Sequence, residues 1–439
     1  MKVSPPNIAQ FIQSAVRHRG AHAVMDQAVI SGLNFVTFLL LAKWMTTEAF
    51  GGYILTFSVL LFVQTIQHAL LTRAHNVLGA KAEGQEYKEL TQGVIKLTLA
   101  FALIFTLLSL LVGFGFQLMS LTTWGDAAFA LSVAIVPWLF QDAIRRILYS
   151  SNKIASAAIN DLICYGLQVV FFVALIGFGV SGSIALVFVV FGASSFISGM
   201  IGILQLRSEL SGTFTEKSDL RAVWIRLWNF GKWLTTGEFI GWIGQNGNTW
   251  IVGALLGAPL VAGYRAATYV TNLLNPLDLS VSNYLPVKAA KVLQAEGHPA
   301  MIKWLKKQAL LLCIPYALLV LGIGIGSFWL LDVFFDERYV TELFALILSI
   351  SAFGRLLGFA ANFARLGLMA SENNRPIMYS QIISLAVFVT VSIGFVTWFG
   401  VVGAPLSRMV LHILLGVYLT FSLVKPAKEE SLNLSSLLP

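Results

Sequence analysis

The chain has 439 residues, of which 57% are hydrophobic and only 11% charged, with 32 phenylalanines and 11 tryptophans, and its mean hydropathy is +0.78. A water-soluble core has no use for so much apolar surface, so an ordinary soluble domain is excluded. The formal net charge of +8 does not indicate a nucleic-acid binder either, because the basic residues are dispersed through short segments between apolar runs.

The apolar runs predict an all-α polytopic membrane protein. Twelve stretches are long enough to cross roughly 30 Å of hydrocarbon as helices: 24–43, 52–72, 92–117, 127–148, 156–178, 183–205, 233–256, 259–284, 304–328, 339–367, 377–399 and 401–424. Residues 1–23 contain no apolar core followed by a small-residue cleavage site and read as a cytoplasmic lead-in rather than a signal peptide. Residues 206–232 form the longest hydrophilic interruption and read as a cytoplasmic linker between two six-helix bundles, 24–205 and 233–424, with a tail over 425–439.

Charges and amides inside apolar spans carry the functional information, because an ionised group near the bilayer centre costs about 2.5–3.5 kcal/mol even on lenient insertion scales. In the first span Asp26 is one of few acids able to take up a proton or cation, with a salt bridge at the helix start as the alternative. The fourth span ends with Asp142 three and four residues before Arg145 and Arg146, which stacks acid on base along one helix face. Either the three satisfy one another, or one arginine pairs and the other is left for phosphate.

The seventh span carries Glu238 and then the amides Gln245, Asn246 and Asn248, which read either as interhelical packing groups or as partners for sugar hydroxyls. In the eighth, Arg265 lies roughly 9 Å along the helix from Pro259, within snorkelling reach of the interface. Thr268 and Asn272 continue a polar face beside it, as a water-lined surface requires, and Asp278 follows nearer the cytoplasmic end. Arg355, about 24 Å along the tenth span, is the deepest arginine; Arg365 closes that span, and Arg408 lies in the twelfth. A pathway enriched in arginine suits an anionic substrate, whereas a drug-cation exporter needs unpaired carboxylates. Asp26, Glu238 and Asp278 are the candidates for ion coupling.

Lysine and arginine fall predominantly in alternate loops, so the positive-inside rule places both termini in the cytoplasm. Two internal echoes support duplication of a six-helix unit. Gly51-Gly52-Tyr53 aligns with Ala262-Gly263-Tyr264 at an offset of 211 residues, and "RRILYSSN" from Arg145 aligns with "RLGLMASE" from Arg365 at an offset of 220. An even helix count puts both copies in the same orientation, as a parallel repeat with a cavity expected between the halves. No nucleotide-binding, zinc-protease or nucleophile-elbow motif occurs. Cys164 and Cys313 both lie in apolar segments and read as small hydrophobes. An enzyme, a cofactor and a metal are therefore not expected; the energy source stays open among proton, sodium and membrane potential.

Three stretches, "LLLAKWMTTEAFGGYILTFSVL" from Leu39, "IRRILYSSNKIASAAINDL" from Ile144 and "WIVGALLGAPLVAGYRAAT" from Trp250, resemble the polysaccharide-biosynthesis branch of the multidrug, oligosaccharidyl-lipid and polysaccharide exporter superfamily, the Wzx-type flippases. The resemblance implies two six-helix bundles in a V, related by pseudo-two-fold symmetry and working by alternating access. It also implies movement of an undecaprenyl-diphosphate-linked oligosaccharide or exopolysaccharide repeat unit, such as an O-antigen unit, across a bacterial inner membrane. Partners would then include that glycan, membrane lipid, and polysaccharide polymerase and export proteins, but no nucleic acid. Arg265 resembles a central-cavity basic residue by position, with Arg355 and Arg146 as further assignments. Two other readings stay open, a cation-coupled multidrug or metabolite exporter of the same superfamily and a non-transporting subunit of a polysaccharide synthase complex.

Overall fold

The computed structural model describes residues 20–207, 219–373 and 375–425, with side chains from Ile30 onward except Trp233 and Asn283. It is an all-α polytopic membrane protein whose chain divides into two compact units, Met1–Trp242 and Ile243–Pro439. The first holds helices α1 (Gly20–Trp44), α2 (Thr47–Gly79), α3 (Gly84–Leu118), α4 (Thr122–Ser150), α5 (Ile154–Gly177), α6 (Ile184–Gln205) and the first part of α7 (Leu220–Leu256). The second continues from the end of α7 with α8 (Ala258–Val270), α9 (Asn275–Glu296), α10 (His298–Ile325), α11 (Ser327–Phe334), α12 (Glu342–Ala370), α13 (Arg375–Phe399) and α14 (Gly403–Val424).

Among the described residues, eight segments are long and apolar enough to cross a membrane, the last being α13 and α14 taken together. Of the twelve expected spans, the first is described as apolar only over Ile30–Trp44. The seventh and eighth form helices too polar or too interrupted to qualify by composition. The linker expected over 206–232 is helical from Leu220 onward and runs without a break into the seventh span. The reason is packing: Leu227, with Val223 and Phe230 beside it, joins the apolar cluster of Leu70, Leu71, Ala74, Leu90 and Val94 on α2 and α3. Gly231 lets this helix approach so closely that an added Cβ would stand 2.7 Å from the Ala69 carbonyl oxygen. The eighth span does not run straight from 259 to 284, because a 3-10 turn at Thr271–Leu274 separates α8 from α9.

Both internal echoes correspond to matching local structure. Helices α2 and α8 start at Thr47 and Ala258, 211 residues apart. Gly52 and Gly263 each meet the first turn of another helix: a Cβ on Gly52 would lie 2.9 Å from Ile184 Cδ1, and one on Gly263 would penetrate the Phe344 ring. Helices α4 and α12 end in the same C-cap. Asn152 and Glu372 take φ of 59° and 57°. The next N–H in each case reaches back to a carbonyl in the last turn, Lys153 to Leu148 and Asn373 to Leu368. Aromatic packing fills the first unit around Tyr53, Phe57, Trp138 and Phe191. In the second, Met301, Leu305, Leu368, Leu419 and Leu423 form the main cluster.

Candidate functional site

In the first unit, five charged or ionisable side chains meet where α2, α4 and α5 converge. Helix α2 contains a π-helical turn at His68–Thr72, a local irregularity that re-aims side chains. His68 Nε2 lies 2.6 Å from Asp142 Oδ2. Arg146 Nε donates to the same oxygen at 3.0 Å, while the Arg145 guanidinium stands 4.0 Å from Asp142 Oδ1. Arg145 is held by another acid, donating from Nε to Asp161 Oδ2 at 2.6 Å. Asp142 is 3% exposed and Asp161 0%, and carboxylates this deeply buried persist as ions only when paired. Each arginine thus has its own acid, and neither is the spare one that phosphate binding would use. His68 and the π turn were not legible in the sequence, since the summed hydropathy of a span does not register one extra residue in a turn.

Glu238, in the part of α7 that belongs to the first unit, is ion-paired with Arg73. Asp26 lies in α1 with its side chain outside the described residues.

In the second unit, Arg355 of α12 is bound to the break between α8 and α9. The break follows from Pro276, which has no N–H to offer the Asn272 carbonyl four residues earlier. The Asn275 N–H serves that carbonyl instead, so the chain tightens into the 3-10 turn at Thr271–Leu274. Arg355 clamps this turn, donating to Thr271 O at 2.6 Å and also to Asn275 Oδ1 and to Asp278 Oδ2, the last at 2.9 Å. The Tyr316 hydroxyl donates to the other Asp278 oxygen at 3.1 Å. Arg355 and Asp278, expected in a cavity and an ion site, are therefore partners in one helix-break staple.

The remaining candidates separate into two groups. Asn248 is buried and donates to the Ala404 carbonyl at 2.8 Å, so it joins α7 to α14. Thr268 bonds back to the Tyr264 carbonyl of its own helix at 2.8 Å. Gln245 is exposed, while Asn246 and Asn272 are half-buried. Arg265 is half-buried on α8, one helical turn before Tyr269. Arg365 donates to Asn362 Oδ1 at 3.0 Å, and Arg408 to the Gly244 carbonyl at 3.3 Å. Both are half-buried and both have only neutral partners among the described residues. At the offset of 220 Arg365 corresponds to Arg145, while the positions of the two acids beside Arg145, Asp142 and Asp161, are taken by Asn362 and Gln381, so the arginine recurs and neither acid does. His412, one turn beyond Arg408, has Nδ1 2.8 Å from the Gly354 carbonyl, to which it donates. No group of three or more His, Cys, Asp or Glu side chains suited to a metal occurs among the described residues.

Comparison with known proteins fits this picture. Comparison with curated proteins finds no match. Among solved structures, the fold is similar to an inward-facing multidrug resistance MATE family transporter of the MOP superfamily, with TM-score 0.72 at 13% identity, covering 90% of this chain and 96% of that one. It is similar also to lipid II flippase MurJ in an inward closed conformation, with TM-score 0.70 at 16% identity over 91% of this chain and 86% of that one. A MOP superfamily transporter from Pyrococcus furiosus gives TM-score 0.59 at 11% identity over 92% and 93%. The profile described as polysaccharide biosynthesis protein matches residues 21–283, more than half of the sequence. The chain therefore belongs to the polysaccharide biosynthesis protein family, and its fold is similar to that of these solved transporters.

Proposed function

We propose that this protein translocates an undecaprenyl-diphosphate-linked oligosaccharide or exopolysaccharide repeat unit from the cytoplasmic to the periplasmic leaflet of a bacterial inner membrane, as a Wzx-type flippase with both termini cytoplasmic. One observation carries the choice of an anionic cargo. Among the described residues, Asp142, Asp161, Glu238 and Asp278 are each engaged by a basic side chain of their own unit, whereas Arg365 and Arg408 meet only neutral groups. Exporting an organic cation needs a carboxylate open to the cargo, and the charge left over among these described groups is positive. Guanidinium groups hold diphosphate oxygens through paired N–H bonds, and a half-buried setting strengthens that attraction relative to open water.

In this reading Arg265, Arg365 and Arg408 meet the diphosphate, and Gln245, Asn246 and Asn272 meet sugar hydroxyls. Arg145, Arg146, Arg355, Asn248 and Thr268 hold the helices in place. No bond is made or broken. Cargo moves because binding favours one state on each side of the membrane, driven by a proton or sodium gradient, the membrane potential or removal of the product by polymerase and export proteins. Asp26 is the coupling candidate left without an assigned partner role. Complementation of a strain lacking its own flippase tests the reading, by scoring surface polymer and lipid-linked repeat units retained inside. Arg408→Ala and Arg265→Ala should reduce the first and raise the second at normal protein level. Unchanged export by both well-expressed variants would remove the arginine assignment.

A further inference from the structure

The helices α9 and α10 meet at Gly297 and carry five lysines, Lys288, Lys291, Lys303, Lys306 and Lys307, all exposed. Among the described residues none of the five has a carboxylate partner. In the first unit, by contrast, Arg73 pairs with Glu238 and Arg226 with Glu86, and Lys153 donates to the Gln205 carbonyl. The hairpin is nevertheless ordered by its inner face: Ala289, Met301 and Leu305 are buried in the apolar cluster with Leu368 and Leu423. It is a fixed platform of uncompensated positive charge.

The place of that charge along α10 identifies what it faces. On the exposed side of this helix Lys303 and Lys307 are followed, at spacings of three and four, by Leu310, Ile314, Leu318, Leu321 and Ile325, one continuous stripe. From Lys307 to Ile325 the helix rises about 27 Å, close to the thickness of the hydrocarbon layer. A stripe of exposed leucine and isoleucine of that length faces acyl chains, so the lysines at its head stand at the headgroup level on the lipid-facing side. Tyr284 on α9, exposed and lying under the Lys288 ammonium 5.9 Å from its ring centroid, suits the same interfacial layer.

We propose that the α9–α10 hairpin is a binding surface for anionic phospholipid headgroups, with Lys303, Lys306 and Lys307 as its centre and Lys288 and Lys291 extending it. The surface is separate from the arginines assigned to cargo and does not depend on the transport reading.

The purified full-length protein, reconstituted in phosphatidylcholine vesicles with trace spin-labelled phosphatidylglycerol or phosphatidylcholine, provides the test. Electron spin resonance reports the motionally restricted fraction of each probe at the protein surface. Wild type should select phosphatidylglycerol over phosphatidylcholine by roughly fivefold at low salt, the size expected when even one lysine's attraction is realised, and the selectivity should fall as salt rises. The variant Lys288→Gln, Lys291→Gln, Lys303→Gln, Lys306→Gln and Lys307→Gln should lose most of it. A charge-matched control, Lys81→Gln, Lys88→Gln, Arg221→Gln, Arg226→Gln and Lys232→Gln, should keep it. Selectivity retained by the hairpin variant, or lost equally in the control, would overturn the proposal, the first result pointing to another partner for the lysines, such as an acidic protein.

Discussion

Replacing Arg355 with methionine separates a structural arginine from a cargo-binding one. Methionine fills similar volume but removes the donors to Thr271 O, Asn275 and Asp278, leaving the Asp278 carboxylate with the Tyr316 hydroxyl but no cation. Removing one member of a fully buried ion pair costs about 3–5 kcal/mol. The Arg355 and Asp278 side chains are 26% and 32% exposed, so water screens part of the loss, and about 2–3 kcal/mol is the appropriate expectation. In detergent-solubilised protein followed by intrinsic tryptophan fluorescence, the apparent Tm should drop by roughly 5 °C. Arg355→Lys should recover only part of this, since an ammonium cannot reach all three acceptors as a planar fork does. An Arg355→Met protein with wild-type Tm that no longer supports polymer export would refute the staple and return Arg355 to the cargo path.

Other perturbations have equally definite outcomes. Gly263→Val should prevent accumulation of folded protein in the membrane, because its Cβ would enter the Phe344 ring, whereas Gly52→Ala should cost little more than a rotation of the flexible Ile184 tip; fluorescence-detection chromatography compares the two. Asp142→Asn leaves Arg146 and His68 facing an amide and should lower stability by about 3 kcal/mol, read from the same melting assay. The Arg226–Glu86 pair is exposed on both sides, so Glu86→Gln should shift stability by under about 1 kcal/mol. If Asp26 takes part in coupling, Asp26→Asn should abolish the dependence of export on pH or on sodium, and an unchanged dependence would remove it.

Much of the helical plan was legible because lipid imposes a long, uninterrupted apolar run on each crossing segment. The echoes were legible too, since "RRILYSSN" and "RLGLMASE" encode the same left-handed C-cap at Asn152 and Glu372. What stayed hidden is of another kind. The helical start of α7 follows from tertiary burial of Leu227 and Gly231 within a polar stretch, which hydropathy reads as a linker. The break at Thr271–Leu274 was signalled by Pro276, but its consequence, a carbonyl taken up by Arg355 from a helix about eighty residues away, has no local signature. The spacing of Asp142 and Arg146 gave their ion pair correctly. The partners of Arg145, Arg73 and Asp278 are set by which helices become neighbours, and only the fold supplies that.

The central claim is that the cargo is a lipid-linked glycan diphosphate. Its most direct test is reconstitution of the purified protein in proteoliposomes carrying an undecaprenyl-diphosphate-linked oligosaccharide in both leaflets, with a glycan-cleaving enzyme added outside. With a membrane potential or an ion gradient imposed, the protected inner pool should become accessible with wild-type protein, and more slowly with Arg408→Ala. An inner pool that stays protected with folded, correctly inserted protein, while the same vesicles move a cationic dye, would contradict the account and assign the chain to cation export.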